Sequence, residues 1–153
     1  MLALPVESGK RVIFRSSMYV SRRALATLNS ERAVGEIVAA ARKRNATLGI
    51  TGGLVCTRTH FAQLLEGPPA AVDALMHMIE TDPRHAEVTI LDVSLVAQRQ
   101  VANWSMAYNG DSTYVARQIE ALLLDPDNSA PLLVSRLRSL IVGFATTNPV
   151  QGA

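Results

Sequence analysis

The sequence predicts an α/β fold in which a sheet with two helices on one face is followed by two C-terminal helices. Three observations predict it. The 153 residues suit one compact domain with a short appended piece. Segments with apolar side chains at helical spacing alternate with β-rich runs. Two of those β-rich runs, near the middle of the chain, are separated by only a short turn.

The overall composition is that of a folded protein that does not bind nucleic acid. Hydrophobic residues make up 48% of the chain and charged residues 18%, which excludes a disordered chain. Aromatic residues make up only 5%, so a surface that stacks single-stranded nucleic acid is not expected. The formal net charge of +2 is too small for counterion-driven DNA binding.

The cysteine and histidine content and the hydropathy of the sequence argue against disulfides, metal sites and membrane spans. Cys56 is the only cysteine, which excludes an internal disulfide and favours a reducing, cytoplasmic location. His60, His77 and His85 lack the spacing of metal ligands, so we expect no metal site. The segment 1–10 has no basic region followed by a long apolar core, so no signal peptide is predicted. No apolar run approaches the ~20 residues of a membrane-spanning helix, and we expect no membrane partner.

The first strand and the first helix are predicted in the N-terminal third of the sequence. The strand covers residues 11–21, with a bulge or kink at 15–17. Residues 29–30 provide an N-cap for an amphipathic helix over 31–44. Residues 45–49 then form the exit loop.

A hairpin, a second helix and two more strands follow. The hairpin strands cover 50–57 and 61–66, and the second helix starts at the prolines after Gly67 and ends near Asp82. The last two strands are predicted over 88–96 and from about residue 100 to Tyr108. The apolar face of the second helix consists of Val72, Leu75, Met76 and Ile79.

The order β-α-β-β-α-β-β fits a ferredoxin-like sandwich. Two amphipathic helices, over 114–124 and 131–145, complete the chain. They are too apolar to be left in water, so we expect them to pack on the free face of the sheet or on another subunit. The second alternative predicts a homo-oligomer. The resulting domain division is 11–110 for the sandwich and 111–147 for the helical extension.

Polar residues at positions where a sheet core should be apolar are the candidates for chemistry. Gln63 has apolar neighbours, on a strand next to the one that carries Tyr19. The ordinary interpretation is a structural polar group with satisfied hydrogen bonds. A glutamine nevertheless offers a donor and an acceptor on one rotatable group, so it could bridge a phenol and a heteroaromatic ring and reverse that bridge. Gly49–Gly53 lies inside a strand and is not a phosphate loop, so the sequence does not favour an enzyme.

Four strings together resemble a known family. They are Asn45-Ala-Thr-Leu-Gly-Ile-Thr-Gly52, Phe61-Ala-Gln-Leu-Leu-Glu-Gly67, Asp82-Pro-Arg-His85 and Trp104-Ser-Met106. Their order and spacing resemble the BLUF family, sensors of blue light using FAD. The resemblance covers residues 11–110, and Tyr19-Val-Ser21 matches the family's first-strand motif.

The resemblance implies that an FAD lies between the first two helices, perpendicular to the sheet. It implies a photoactive set of four residues, which are Tyr19, Gln63, Trp104 and Met106. It also implies a set of flavin-binding residues, which are Ile37, Arg44, Asn45, Leu54, Phe61, Gln63, Ile79, Asp82, Arg84 and His85.

This chain departs from the family pattern at three places. The stretch between Tyr19 and Asn45 is about two residues longer than usual, which leaves Phe14 as a rival for the strand position of the tyrosine. Tyr19 is favoured because Phe14 would require a larger insertion and could not donate a proton. Arg44 stands where many relatives carry Asn or His, and Val101 replaces an aromatic residue.

The resemblance implies a non-enzymatic photoreceptor in which Tyr19 donates an electron and a proton and Gln63 relays the proton and rearranges. The rearranged hydrogen bonds would shift flavin absorption to the red. The signal would pass through the last strand to the C-terminal helices and to a separate signalling partner. Two alternatives stay open: a small ferredoxin-like enzyme of the acylphosphatase type, and a light-insensitive interaction module.

Overall fold

The computed structural model describes residues 12–24, 31–110, 112–124 and 131–147. The described residues form five strands and four helices in the predicted order, which confirms the fold class. The elements are β1 (Phe14–Arg23), α1 (Glu31–Leu48), β2 (Thr51–Cys56), β3 (His60–Gly67), α2 (Pro69–Thr81), β4 (His85–Val96), β5 (Trp104–Asn109), α3 (Thr113–Leu124) and α4 (Pro131–Thr147). The predicted N-cap at 29–30 lies outside the described residues.

The strands form one sheet in the order β4-β1-β3-β2-β5. β1 pairs antiparallel with both β3 and β4, and β2 pairs antiparallel with β3. β5 pairs parallel with β2 at one edge of the sheet. β1 and β3 are therefore inner strands, and side chains at their centres have a paired strand on each side.

The sheet separates two apolar cores. The first core lies between the sheet and α1 and α2, and the second core lies between the sheet and α3 and α4. Successive strand residues point to opposite faces, so Tyr19 belongs to the first core while Met18 and Val20 belong to the second. Of the two predicted placements of the C-terminal helices, packing on the free face of the sheet is the one observed.

The second helix follows its sequence pattern closely. Pro69 occupies its first turn, where a missing backbone N–H costs nothing because that group has no partner inside the helix. All four predicted apolar side chains of this helix are buried in the first core. The helix ends at Asp82, whose backbone is extended.

Gly52 allows β2 and β3 to approach each other. Its φ angle is +146°, and a Cβ atom added there would lie 1.8 Å from the carbonyl oxygen of Leu64. No side chain fits in that space, so the pairing of β2 with β3 depends on glycine at this position.

The end of α1 differs from the prediction, because residues 45–48 are helical and do not form an exit loop. The helix ends at Gly49, which has a φ angle of +72°. The Gly49 N–H donates to the Ala46 carbonyl and the Ile50 N–H donates to the Asn45 carbonyl. These two bonds form a Schellman motif, which satisfies the last carbonyls of the helix.

The β1 irregularity and the starts of β4 and β5 also differ from the prediction. β1 is continuous through 15–17, and its pairing with β4 shifts between Met18 and Tyr19 and between Val20 and Arg22. β4 begins at His85, three residues before the predicted start, while β5 begins only at Trp104. Residues 97–103, which we call the β4–β5 loop, therefore connect these two strands outside the sheet.

Candidate functional site

A narrow cavity opens between α1, α2 and the first-core face of the sheet. Its volume of about 50 Å³ is well below the ~300–1,000 Å³ of most ligand cavities, so a flat ring would have to displace lining side chains on entering. The predicted site residues that line it are Tyr19, Ile37, Arg44, Leu54, Phe61, Gln63, Ile79, Asp82, Arg84, His85 and Trp104.

Tyr19 and Gln63 lie directly opposite each other on the adjacent inner strands β1 and β3. The Tyr19 hydroxyl donates a hydrogen bond to Oε1 of Gln63 over 2.6 Å, and both side chains are buried. Burial raises the pKa of the Tyr19 phenol far above its ordinary value, so the hydroxyl keeps its proton at neutral pH. Phe14 lies at the start of β1 against the Arg99 guanidinium, so Tyr19 is the first-strand aromatic residue beside Gln63.

His85 adds a neutral polar ring to the cavity wall. Its Nδ1 lies 2.7 Å from the Ser21 hydroxyl, and its ring packs against Phe61 and the edge of Tyr19. Burial lowers the pKa of His85 to about 4, although the nearby Asp82 opposes this shift. The imidazole is therefore neutral at pH 7 and offers one donor and one acceptor nitrogen.

Asp82 and Arg84 form an ion pair at the end of α2. The Arg84 guanidinium donates to both carboxylate oxygens of Asp82, with the shorter contact at 2.6 Å. These hydrogen bonds lower the pKa of Asp82 below its ordinary value, so the pair is ionised at neutral pH. Because both groups line the cavity and reach solvent, they place a donor-rich, charged edge at its mouth.

Asn45 lies in the last turn of α1, fully buried next to the cavity residue Arg44. Its Oδ1 accepts a hydrogen bond from Nε of Arg44 over 3.2 Å. Its Nδ2 is also buried and has no acceptor among the residues that the structure describes. An unsatisfied buried donor costs ~1–3 kcal/mol, so this amide favours a ligand with an acceptor.

Trp104 starts β5 and lines the cavity with its indole ring. The side chain is buried in the first core, on the same face of the sheet as Gln63. Its Nε1 donor, like the Asn45 amide, has no acceptor within the described part of the chain. The backbone of Met106 pairs with Leu54, but the side chain of Met106 lies outside what is described, so its role stays a prediction.

The cavity wall contains two residues that the sequence interpretation missed. Ala40 and Ala41 line it from α1, together with Ile37 and Arg44. The helical spacing that starts at Ile37 would have indicated them, since residues three, four and seven positions apart share a face. Their small side chains leave room between α1 and the sheet.

A second and larger cavity lies beside the β4–β5 loop, where α1 leads into β2. Arg42, Arg99 and Ala145 contribute to its wall. Among the predicted site residues whose side chains are described, Trp104 alone lines both cavities. The convergent buried polar groups described above nevertheless identify the narrower cavity as the candidate site.

Comparison with known proteins assigns the chain to a family. Residues 14–107 match the BLUF family, sensors of blue light using FAD. This match covers more than half of the chain, and the protein therefore belongs to the BLUF family, as its motifs predicted. Among the residues that the structure describes, no helix is both long and apolar enough to cross a membrane.

Individual relatives agree with this assignment. The structure resembles the dark-state structure of the BLUF protein BlrB, with a TM-score of 0.66 and 33% identity over 87% of this chain and 98% of that chain. It also resembles Klebsiella pneumoniae BlrP1 with FMN and cyclic diGMP, with a TM-score of 0.57 and 27% identity over 81% of this chain and 30% of that one. The β subunit of photoactivated adenylate cyclase from Euglena longa is 38% identical over 71 residues, which are 46% of this chain and 8% of that protein. The chain thus spans less than a tenth of the cyclase subunit's length.

Proposed function

We propose that this protein is a blue-light photoreceptor that binds FAD non-covalently between α1 and α2. The observation that carries the proposal is the buried hydrogen bond from the Tyr19 hydroxyl to Gln63 in the wall of the cavity. A phenol and an amide in direct contact provide an electron and proton donor beside a reversible hydrogen-bonding group. Membership of the BLUF family supports a flavin as the ligand.

The residues present fit a flavin because the cavity has apolar walls, Trp104 in its wall has an N–H without a described acceptor, and so does Asn45, which lies next to the wall residue Arg44. Asn45 and Trp104 would each donate to the heteroatoms of the ring through the two unsatisfied N–H groups. The aliphatic side chains of Ile37 on α1 and Ile79 on α2 would cover its two faces. FAD is proposed over FMN on the family's description, although the structure of BlrP1 contains FMN.

The photochemistry would start from the Tyr19–Gln63 pair. A bound flavin supplies, when excited by blue light, a strong electron acceptor. Tyr19 is a neutral phenol in the dark, and its hydroxyl proton already points at an acceptor, Oε1 of Gln63. Once the electron and the proton had both returned to Tyr19, a rotated or tautomerised Gln63 would present a different group to the ring. A stronger hydrogen-bond donor from Gln63 to the flavin ring would shift the flavin absorption to longer wavelength.

The output would be conformational and not catalytic. We propose that residues 11–110 act as the sensor and that the 111–147 extension passes the signal to a separate protein. Self-association and a cytoplasmic location are also part of this proposal. Both rest on the sequence interpretation, and packing of α3 and α4 on the sheet of their own chain gives self-association no further support. The cyclase relative carries an enzymatic activity in its name, and this chain spans 8% of that protein, so the proposal transfers only light sensing.

The proposal predicts a yellow protein whose blue absorption band moves reversibly to the red under illumination. Tyr19→Phe and Gln63→Leu are expected to bind flavin yet lose the red shift, because the first cannot donate a proton and the second cannot bridge. The measurement is a light-minus-dark absorption spectrum of each purified protein, with chromatographic identification of the released flavin.

Tyr114→Phe is the matched control, because Tyr114 is an exposed tyrosine on α3 and does not line the cavity. It should behave as the unmodified protein. A normal red shift in Tyr19→Phe would contradict the assignment of the donor. A colourless protein that takes up no added FAD would contradict the proposed function as a whole.

A further inference from the structure

Glu66 is a buried carboxylate on β3, three residues after Gln63 and fully shielded from solvent. Its Oε1 accepts hydrogen bonds from the backbone N–H groups of Gln100, over 2.7 Å, and Val101, over 3.2 Å. Its Oε2 has no hydrogen-bond donor within the described ranges. A buried carboxylate is costly unless it is hydrogen bonded, so this contact to the β4–β5 loop needs an explanation.

The loop is attached to the same strand a second time. Arg99 donates to the backbone carbonyl of Glu66 over 2.9 Å and to the Thr51 hydroxyl over 2.8 Å. It also donates to the Gly49 carbonyl at the end of α1, over 2.9 Å. Both the side chain and the backbone of Glu66 therefore hold the loop that leads directly into Trp104.

The other side of the loop contacts α4. Arg138 of α4 donates to Oε1 of Gln100 over 3.0 Å, and it forms an ion pair with Asp92 on β4. Val101 is buried in the second core with Leu137 of α4. The β4–β5 loop thus contacts the cavity wall through Trp104 and the helical extension through Gln100 and Val101.

We propose that Glu66 is a positioning residue that couples the cavity to α4 by holding the β4–β5 loop. Its carboxylate binds the N–H groups of residues 100 and 101 together and keeps this part of the loop stiff, so a displacement of Trp104 is passed along the loop to the contact between Gln100 and Arg138. Without the carboxylate, the loop absorbs the displacement and α4 does not respond. This inference rests on the proposed light response.

The test is light-dependent hydrogen–deuterium exchange in α4 of the full flavin-loaded chain. Glu66→Met has a similar volume but no acceptor, and Glu66→Gln keeps an acceptor oxygen. We expect Glu66→Met to retain the red shift but to reduce the light-minus-dark difference in α4 by roughly threefold or more. Glu66→Gln is expected to show a light-minus-dark difference in α4 close to that of the unmodified protein. Exchange in residues 97–103 should rise in the dark only in Glu66→Met.

A second variant covers the case in which Glu66→Met does not fold. Gln100→Ala removes the side-chain acceptor of Arg138 at an exposed position and leaves the backbone N–H of residue 100 on Glu66. It should also retain the red shift and weaken the response of α4. A full response of α4 in Glu66→Met, or in Gln100→Ala, would overturn the proposal. A red shift with no response of α4 in the unmodified protein would overturn it too, whereas the absence of any red shift would overturn the proposed function itself.

Discussion

At the scale of single residues, the candidate site depends on burial. Tyr19 and Gln63 are both buried, so their hydrogen bond competes little with water. The same burial keeps Tyr19 protonated and His85 neutral at pH 7, because both ionised forms would lose hydration. The ion pair of Asp82 and Arg84 is partly exposed, so both of its groups are partly hydrated.

His85 predicts a dependence of stability on pH. Its pKa of about 4 in the folded protein lies below the ordinary value of 6.5, so the unfolded chain binds more protons between these values. The free energy of unfolding should therefore rise with pH across that window and fall, by about 3 kcal/mol at most, as the pH is lowered from 6.5 to 4. Urea unfolding at a series of pH values measures this change.

His85→Asn should remove that part of the dependence, since an asparagine does not titrate. His77→Asn is the matched control, because His77 is exposed on α2. If His85→Asn and the unmodified protein lose stability in parallel below pH 6.5, burial of His85 is not the cause.

At the scale of the elements, close approach of β2 and β3 positions the site. Leu54 and Gln63 are cross-strand partners in this pair, and both line the cavity. The approach at Gly52 and the Schellman motif at Gly49 both depend on the absence of a side chain at a positive φ angle. The junction from α1 into β2 is therefore specified by its two glycines.

Gly52→Ala is expected to destabilise the protein by about 3 kcal/mol or more, because its Cβ would overlap the Leu64 carbonyl at a strained φ angle. Gly35→Ala is the matched control, since Gly35 lies in α1 with open space around it. It should stabilise the protein by about 0.5–1 kcal/mol. Denaturant unfolding of both variants measures the contrast, and equal stabilities would contradict the close approach.

Some elements could be predicted from the sequence, and others depended on contacts distant along the chain. The apolar spacing of α2 and the short turn of the hairpin are local signals, and both were confirmed. The prediction for the end of α1 was wrong because Asn45 and Thr47 are weak helix formers, whereas the Gly49 cap determines the end. The predicted start of β5 was wrong because Glu66 binds the N–H groups of Gln100 and Val101, which no local pattern shows.

The members of the candidate site were named from family motifs and their roles stay predictions, whereas the geometry that joins them depends on the fold. The family motifs indicated a set of site residues, and the structure brings every member whose side chain it describes, except Asn45, to the cavity wall. The register that places Tyr19 opposite Gln63 results from strand pairing across 44 positions of sequence. The unsatisfied donors of Asn45 and Trp104 result from packing in three dimensions. Neither feature can be read from local spacing.

At the scale of the whole molecule, one sheet supports two cores, and the extension completes the second. Val115, Ile119 and Leu122 of α3 are buried there, together with Leu137 and Ile141 of α4. Each such side chain contributes roughly 1.5–3 kcal/mol on burial. Together they match the size of the ~5–15 kcal/mol by which most domains are stable.

Truncation after Gly110 should therefore yield a protein that aggregates or unfolds at much lower denaturant concentration. It would expose Met18, Val20 and Leu64, which are fully buried in the intact chain. Truncation after Thr147 is the control, since both helices are retained. Size-exclusion chromatography and urea unfolding distinguish the outcomes. A soluble, cooperatively folding fragment that binds flavin as tightly as the full chain would show that the extension is dispensable for folding.

The position of Trp104 also determines the intrinsic fluorescence of the protein. It is the single tryptophan of the chain, so intrinsic indole fluorescence arises from one buried ring at the start of β5. Trp104 lines both cavities, and indole emission is sensitive to the polarity of its surroundings. A yellow chromophore in the narrower cavity would quench this fluorescence by energy transfer. The protein thus contains an internal optical probe at the junction between its candidate site and the β4–β5 loop.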